Sequence, residues 1–467
     1  MKIFNTLSGK KEIFKPIEKG KLSMYVCGMT VYDDTHIGHA RTFLSFDLIV
    51  RYLRSIDFEV TYIRNITDVD DKIISRAKEL NLTPKELTTK YIASMDEDFL
   101  SLGMQKPDAE PRATENIDSI ISLIEILIDK GHAYVGDADV YFSTESHNSY
   151  GKLSRRNLED MLVGARIDVD LDKKNPTDFV LWKKDTEGLK WDSPWGEGRP
   201  GWHIECSAMS MDALGETFDI HGGGSDLKFP HHENEIAQSE CVTGKEFAKL
   251  WMHTGSLRID KEKMSKSLKN FITVKDALEN ISPELLRFFL ISSHYRSPLN
   301  YSEEGLEEAK NSLDRLYNSL NELHFQEKEY VKSEYSEKFH KAMQDDFNSP
   351  SAIAVLFEIT RQINTYKKED KSDEASVLAR ELISLGGILG ILQDKPEEYF
   401  TSGSGLSGEE IENYILKRNQ ARLDKDFKLS DQIRDHLLEQ GITLEDKESG
   451  TIWKTVSYTH LTLPTKA

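Results

Sequence analysis

The stretch from Met24 to Ile49 changes its hydrophobic pattern twice, and this change restricts the folds open to the chain. An apolar run begins at Met24 and gives way to the loop His36-Ile-Gly-His39, after which apolar residues recur at helical spacing. The pattern predicts a strand, a loop and the first turn of a helix. Such a loop presents free backbone N–H groups that attract anions, and Gly38 allows a ligand to approach closely. The two imidazoles either donate to phosphate oxygens or simply cap the loop.

Length and charge limit the class of protein. At 467 residues the chain is long enough for roughly two to four domains. A formal net charge of −20 argues against indiscriminate binding of nucleic acid, although the basic stretches 152–156, 173–174, 183–184 and 261–269 leave room for a local basic surface. No apolar run is long enough to cross a bilayer, and three cysteines are too few for a disulfide framework. We therefore expect a cytoplasmic protein with reduced thiols.

The next segments predict a parallel sheet followed by an insertion. Residues 58–63 alternate like a strand, so that with the opening stretch they complete a βαβ unit. Residues 84–130 show helical patterns, and a hairpin is predicted around Gly136-Asp137. Residues 145–200 show little periodicity, which is typical of an inserted segment rather than a core element.

Two later stretches carry polar groups suited to ligand binding. Residues 218–227 predict a short strand ending in a turn of three glycines, Gly222 to Gly224, where a flat ligand can approach and Asp226 can accept from ribose hydroxyls. Pro230 is expected to open a helix on which His231 and Glu235, four residues apart, share one face.

Four of these side chains form a credible zinc set. Cys27, Cys206, His231 and Glu235 offer two thiolates, an imidazole and a carboxylate. Their spacing is not diagnostic, because His221 and His232 remain rival ligands and each cysteine has the alternative of being a buried apolar thiol. We favour that alternative for Cys241.

A cationic loop, Lys263-Met-Ser-Lys-Ser267, follows the apolar residues Leu250 to Met252. It is either an ordinary basic turn or a clamp for a polyphosphate, since cations placed where negative charge develops lower the barrier to nucleotidyl transfer.

The loops His36-Ile-Gly-His39 and Lys263-Met-Ser-Lys-Ser267 match the two signature motifs of the class I aminoacyl-tRNA synthetases and occur in the same order. In this the chain resembles that class. The segments Cys27-Gly-Met-Thr30, Gly201-Trp-His-Ile-Glu-Cys206 and His221 through Glu235 resemble the cysteinyl family in particular, and the likeness extends to about Lys454. The resemblance implies an α/β fold with a Rossmann-type parallel-sheet catalytic domain over 1–305, including a connective insertion at about 92–200. It further implies a helical tRNA-binding bundle at 306–398, a linker at 399–408 and a small α+β anticodon-binding module at 409–454.

The resemblance also implies the reaction and the partners. The activity would be ATP-dependent ligation of L-cysteine to tRNA(Cys) through cysteinyl-adenylate, in a monomer without membrane partners and without an editing domain. His36, His39, Lys263 and Lys266 would stabilise the transition state, and Mg²⁺ would accompany ATP. One zinc ion per chain, held by Cys27, Cys206, His231 and Glu235, would bind the substrate thiolate.

The remaining roles follow from the same resemblance. ATP would lie against His36, Gly38, His39, Gly222, Gly223, Gly224, Asp226 and Lys266. The amino acid would lie against Gly28, Thr67, Trp202 and His231, and the anticodon against Arg422, Phe427, Asp431 and Asp446.

Two rivals and one anomaly complete the expectations. A relative that joins the adenylate to a small amine would not need residues 310–454, and a non-catalytic RNA-binding paralogue would be expected to have lost one signature, whereas both are present. Residues 455–467 depart from the family pattern, so we expect a disordered and non-native tail.

Overall fold

The structure is a computed structural model that describes residues 1–137, 139–156, 172–185, 188–259, 262–263, 271–321, 323, 332–401, 406, 408–447 and 450–455. These residues fall into two compact units. Unit 1 comprises Met1–Leu257, Tyr295–Leu299 and Gln344–Phe347, and unit 2 comprises Arg258–His294, Asn300–Met343 and Asn348–Ala467. No helix in the described ranges is both long and apolar enough to span a membrane.

Unit 1 combines a parallel sheet with an antiparallel one. Its elements, in chain order, are β1 (Lys2–Asn5), β2 (Lys10–Ile13), β3 (Lys21–Val26), α1 (Ile37–Ser55), β4 (Glu59–Arg64), α2 (Asp71–Leu80), α3 (Pro84–Ser101), α4 (Ile117–Asp129), β5 (Ala133–Val135), β6 (Asp139–Phe142), β7 (Phe179–Lys184), β8 (Gly198–Pro200), α5 (Trp202–Leu214), β9 (Phe218–Gly224), α6 (Glu233–Thr243) and β10 (Ala248–Thr254).

The central sheet has the strand order β10-β9-β3-β4, and all its neighbours are parallel. Met24 in β3 pairs with Tyr62 on one side and with Ile220 on the other. The predicted βαβ unit, β3-α1-β4, is therefore confirmed, as is the Rossmann-type fold class. The next strand in sequence, β4, lies on one side of β3, and β9 lies on the other side of β3. This change of direction opens a crevice at the carboxyl ends of β3 and β9, where open α/β sheets bind ligands.

The predicted glycine turn is wrong in its position, because β9 continues through Gly224. Gly222 pairs with Met252 in β10 and with Val26 in β3, so the glycines belong to the sheet. A Cβ atom at Gly222 would lie 2.4 Å from the ring of Phe46, which comes from α1. The missing side chain thus lets α1 pack directly on the sheet.

The insertion forms an antiparallel sheet in the order β5-β6-β7-β8, and the predicted hairpin is confirmed by the pairing of Val135 with Val140. The prediction that residues 145–200 hold no core element is wrong, since Leu181 and Trp182 of β7 are fully buried. Their apolar partners come from distant segments such as α4, so no local periodicity reveals them. Residue 92, the predicted start of the insertion, lies inside the continuous helix α3.

Unit 2 is mainly helical. Two short strands, β11 (Leu257–Ile259) and β12 (Glu262–Lys263), precede α7 (Val274–Leu278), α8 (Pro283–Ile291), β13 (Leu299–Tyr301), α9 (Glu303–Leu320), α10 (Glu334–Met343), α11 (Ser349–Lys368), α12 (Ser372–Leu389) and α13 (Pro396–Thr401). After these come α14 (Gly408–Leu423), α15 (Phe427–Glu439), β14 (Ile442–Lys447) and β15 (Gly450–Thr455).

The helices α9 to α12 occupy the region where the resemblance implies a helical bundle, and α9 begins at Glu303, three residues before the expected boundary. The last two strands form a hairpin in which Ile442 pairs with Thr455. Thr455, the first residue of the predicted tail, thus belongs to the sheet, and residues 456–467 lie outside the described part of the chain.

Candidate metal and nucleotide site

The segment after β3 is fixed by close contact with the segment after β4. The backbone N–H of Cys27 donates to the carbonyl of Gly222 at 3.0 Å, and the N–H of Gly28 donates to Oδ1 of Asn65 at 2.8 Å. A Cβ atom at Gly28 would lie 1.7 Å from the carbonyl oxygen of Asn65, so only glycine fits there. The side chain of Cys27 is therefore held at the carboxyl edge of the sheet.

The four predicted zinc ligands meet at this edge and are all buried. Cys206 lies in α5, Glu235 lies in the first turn of α6, and His231 lies in the short π-helical turn Lys228–His232 just before α6. The ligand atoms of these three residues and Cys27 all lie within 4.8 Å of one another. Oε1 of Glu235 lies 3.3 Å from Sγ of Cys27 and 3.0 Å from Nε2 of His231. The expectation that His231 and Glu235 share one face is confirmed. Two sulfurs, one nitrogen and one oxygen at this spacing suit zinc.

A second set of donors, Cys27, His221, His232 and Glu235, satisfies the same distance limit. The two oxygens of Glu235 separate the alternatives. Oε1 lies 3.0 Å from Nε2 of His231 but 4.0 Å from Nε2 of His232, whereas Oε2 lies 2.7 Å from Nε2 of His221. This arrangement is that of a ligand carboxylate oriented by a neighbouring imidazole, which favours the first set. Nε2 of His232, for which the described residues provide no hydrogen-bond partner, remains the rival donor.

Burial determines the protonation of the cluster. It lowers the pKa of His231 to about 3, which keeps the ring neutral and able to coordinate a metal. Burial, with the neighbouring Cys206, raises the pKa of Cys27 well above its usual value. For Glu235 burial opposes ionisation, yet His221 and His231 lower its pKa overall. A bound divalent cation would compensate the carboxylate and favour the thiolates, so the residues present fit zinc.

The predicted amino-acid pocket borders this cluster. The ring of Trp202 stacks on that of His231 with centroids 4.2 Å apart, and Trp202 is 39% exposed. Thr67 is buried, and its carbonyl accepts from the N–H of Val31 at 3.2 Å. Asn65 joins the two sides, since it contacts both the backbone of Gly28 and the hydroxyl of Thr67.

The loop before α1 forms the predicted helix start. Nδ1 of His36 accepts from the N–H of His39 at 3.0 Å, and the two rings stack with centroids 3.4 Å apart. The capping interpretation therefore holds for His36, and the first turn of α1, which contains Gly38, lies at the carboxyl edge of β9 and β10. Oγ1 of Thr42, one turn further along α1, is 3.1 Å from Oγ1 of Thr254.

Three other predicted residues remain: the ATP contacts Asp226 and Lys266, and Lys263 of the predicted catalytic set. The exposed Asp226 follows β9, and a Cβ atom at Gly224 would lie 2.5 Å from its Oδ1. Lys263 ends β12, where its backbone pairs with that of Arg258. Lys266 lies outside the described residues.

Sequence reasoning missed two histidines beside the cluster, the partly buried His203 and the buried His253. Nδ1 of His203 lies 2.8 Å from Nδ1 of His231, and Nε2 of His253 lies 2.9 Å from Nδ1 of His232. Burial lowers the pKa of both to about 3. His203 stands next to Trp202 in a segment already singled out, whereas nothing in the sequence around His253 connects it with His232.

The predicted anticodon residues lie on the helices and hairpin of the last module. Phe427 at the start of α15 is 63% exposed, and Arg422 and Asp431 are also exposed. Asp446 differs, because its two oxygens accept from Arg418 at 2.9 and 2.8 Å. The Arg418 guanidinium holds the pKa of Asp446 well below its usual value. This ion pair joins α14 to β14.

Comparison with known families agrees with this geometry. The family profile described as tRNA synthetases class I (C) catalytic domain matches residues 13–311, and the DALR domain profile matches residues 338–393. Two solved structures share the fold. They are a Mycobacterium tuberculosis methionyl-tRNA synthetase in complex with methionyl-adenylate (TM-score 0.59, 14% identity, 83% of this chain and 96% of that one) and a putative arginyl-tRNA synthetase from Campylobacter jejuni (TM-score 0.54, 11% identity, 82% and 94%).

Curated relatives are much closer in sequence. The cysteine–tRNA ligase of Marinomonas sp. (strain MWYL1) is 55% identical over 97% of this chain and 99% of the relative. Those of Hahella chejuensis (strain KCTC 2396) and Coxiella burnetii (strain Dugway 5J108-111) are each 53% identical over 97% of this chain, and over 99% and 100% of the relative. The chain therefore belongs to the cysteine–tRNA ligase family of class I tRNA synthetases, as its sequence motifs predict.

Proposed function

We propose that this chain ligates L-cysteine to tRNA(Cys) with ATP, acting as a monomer in the cytoplasm. An oxygen of the cysteine carboxylate attacks the α-phosphorus of ATP, and pyrophosphate leaves. A hydroxyl of the terminal tRNA ribose then attacks the carbonyl carbon of the adenylate, and AMP leaves. The observation that carries the proposal is the buried thiol, imidazole and carboxylate cluster beside the start of α1, in a chain of this family.

ATP would bind along the carboxyl edge of the sheet. The N–H groups of the first turn of α1, with His36 and His39, would stabilise the negative charge on the phosphates, and Gly38 leaves room for them. Gly224 and Asp226 would contact the adenosine. Gly222 and Gly223 contribute through shape, since their missing side chains admit Phe46 and His232. Lys263 and Lys266 would neutralise the departing pyrophosphate, together with Mg²⁺.

Cysteine would be selected by sulfur chemistry. Cys27, Cys206, His231 and Glu235 would hold zinc, which supplies when bound a soft Lewis acid for the substrate thiolate. Gly28, Thr67 and Trp202 would shape the pocket, with Trp202 kept in place by stacking on His231. A pocket that read only shape would separate cysteine from serine weakly, because the two differ by one atom.

The tRNA would be bound by the α9–α12 bundle and by the last module. The DALR profile overlaps α10, α11 and α12, and the exposed ring of Phe427 suits stacking on a splayed base. Arg422 and Asp431 offer hydrogen bonds to base edges. Asp446 would act by positioning Arg422 and Arg418, to which it is bound.

The test is exchange of labelled pyrophosphate into ATP, dependent on cysteine and compared with serine. The wild-type chain should catalyse it with cysteine alone and contain one zinc ion. Cys206→Ser should lose zinc and most exchange activity, whereas the matched variant Cys241→Ser, outside the ligand set, should keep both. Exchange unaffected by Cys206→Ser would reject the metal-thiolate mechanism, and no exchange by the wild-type chain would reject the proposed enzyme.

A further inference from the structure

Three cations in unit 1 lie together and have no part in the reaction described above. Arg155 and Arg156 follow the turn 151–154, and Lys228 lies in the segment between Asp226 and His231. The guanidinium of Arg156 lies over the ring of Phe229, the residue next to Lys228. Burial and the charges of the two arginines lower the pKa of Lys228, although Glu233 acts in the opposite direction. We call Arg155, Arg156 and Lys228 the cationic rim.

No acid among the described residues forms an ion pair with the rim. Within the described residues the side chains of Arg155, Arg156 and Lys228 form neither a salt bridge nor a side-chain hydrogen bond. Lys152, only three residues before Arg155, is instead paired with Glu240. The carboxylate of Glu233 acts on Lys228, but three backbone N–H groups already donate to it. The like charges of the rim therefore still repel one another, and an arriving anion would relieve that repulsion.

The arginines are nevertheless held in place. Glu233 accepts hydrogen bonds from the backbone N–H groups of Gly151, Leu153 and Ser154 at 3.0, 3.3 and 2.7 Å, which fixes the turn. The guanidinium of Arg156 lies over the ring of Phe229, 4.9 Å from its centroid. Arg155 packs over Gly9, where an added Cβ would overlap its guanidinium. A pre-positioned cation loses less conformational entropy on binding.

The rim lies on the side of the sheet opposite α1. Successive residues of a strand point to opposite faces. A Cβ atom at Gly222 would face Phe46 in α1, and one at Gly224 would meet Asp226 at 2.5 Å and Thr42 of α1 at 3.9 Å. One at Gly223 would instead meet Leu227 and His232, the residues on either side of Lys228. The segment that carries Lys228 is therefore on the other face of β9 from α1. ATP phosphates bound at the start of α1 would therefore not neutralise the positive charge of the cationic rim, which needs another anion.

From these contacts we infer that the cationic rim binds backbone phosphates at the 3′ end of the tRNA. This inference rests on the proposed function, because the terminal ribose must reach the adenylate between the α1 start and the metal cluster. The nucleotides that precede the terminal ribose must then pass the edge of that site, where the segment between Asp226 and His231 carries Lys228. Single-stranded phosphates are bound by cations of this kind without base specificity.

The experiment compares two activities of the full chain in Arg156→Ala, Lys228→Ala and the double variant. Aminoacylation of a tRNA(Cys) transcript should show a KM for tRNA raised about tenfold in the double variant, with a shallower dependence on salt, by about 0.7 in the log–log slope for each lost phosphate contact. Cysteine-dependent pyrophosphate exchange without tRNA should keep its KM for ATP. Arg156→Lys, which keeps the charge, should retain most of the tRNA affinity. The control is Lys249→Ala, which removes a paired lysine elsewhere in unit 1 and should leave the KM for tRNA unchanged.

Each other result decides against the inference. A KM for ATP that rises with the KM for tRNA would assign the rim to the nucleotide, and an unchanged KM for tRNA would make it a solvated surface. A wild-type chain without exchange activity would instead reject the proposed function. Binding of a fluorescent tRNA(Cys) transcript would then still test the rim, and equal affinity of the wild-type and double-variant chains would overturn it.

Discussion

Nε2 of His221 lies 2.7 Å from Oε2 of Glu235, and both side chains are fully buried. This contact occupies the oxygen of Glu235 that faces away from Cys27 and His231. The ring of His221 is itself stacked on Trp251 with centroids 4.4 Å apart. The carboxylate is thus aimed at the proposed metal position by a histidine that the sheet holds in place.

Removing His221 should weaken zinc binding without abolishing it. We expect His221→Ala to bind zinc about 10- to 100-fold more weakly, because the ligand carboxylate loses its orienting partner. His221→Gln can still donate to Glu235 and should bind zinc nearly as well as the wild type. Competition with a chromogenic chelator measures both affinities. If zinc is lost equally from both variants, His221 is itself a ligand and the rival set is correct.

Gly222→Ala should destabilise unit 1. The new methyl group would lie 2.4 Å from the ring of Phe46, so α1 must shift from the sheet at a cost of about 1–3 kcal/mol. Urea unfolding of the wild type, Gly222→Ala, Phe46→Leu and the double variant measures the coupling. The double variant should be more stable than the sum of the single changes predicts. Strict additivity would show that the two groups do not compete for the same space.

Phe427→Ala should impair recognition of tRNA but not folding. Its ring is 63% exposed, so truncation should change stability by less than about 0.5 kcal/mol, while loss of one stacked base lowers kcat/KM for tRNA about tenfold or more. Leu438→Ala in the same helix, at a residue 50% exposed, is the matched control. Equal aminoacylation by the two variants would remove Phe427 from the proposed anticodon contacts.

Glu284 should make the stability of unit 2 depend on pH. Burial raises its pKa to about 7, although Tyr317 donates to Oε2 at 2.7 Å. Because the folded-state pKa exceeds that of the unfolded chain, the folded state holds the extra proton between about pH 4.5 and 7, and stability falls as the pH rises through this range. A shift of that size corresponds to about 3 kcal/mol.

Glu284→Gln keeps the shape of the side chain without its charge. Its thermal unfolding midpoint should therefore exceed that of the wild type at pH 8, and the difference should shrink towards pH 4.5. A difference that is constant with pH would exclude titration of Glu284 as the cause. Glu303→Gln, at an exposed position on α9, provides the control for a surface carboxylate in the same unit.

The sequence predicted the strand, the loop and the helix start that carry Cys27, His36 and His39, because these residues stand where the hydrophobic pattern changes. Cys27 and the His36–His39 loop follow a strand, and parallel strands bring their carboxyl ends to one edge. The strand character of Gly222 could not be seen, since it depends on pairing with Met252 and Val26. The burial of Trp182 depends in the same way on helices distant in the chain. The role of His221 could be recognised only from the distances between the neighbouring side chains and the two carboxylate oxygens of Glu235.

Helix α6 begins with two acids that serve different neighbours. Glu233 anchors the turn at Gly151, whereas Glu235 belongs to the proposed metal set. A chimaera that replaced the insertion with that of a related enzyme would have to keep a turn whose backbone N–H groups donate to Glu233. Without that turn the start of α6 would move, and His231 and Glu235 would move with it. Through Glu233 the insertion is thereby coupled to the proposed metal set, and through that set to the proposed selection of cysteine.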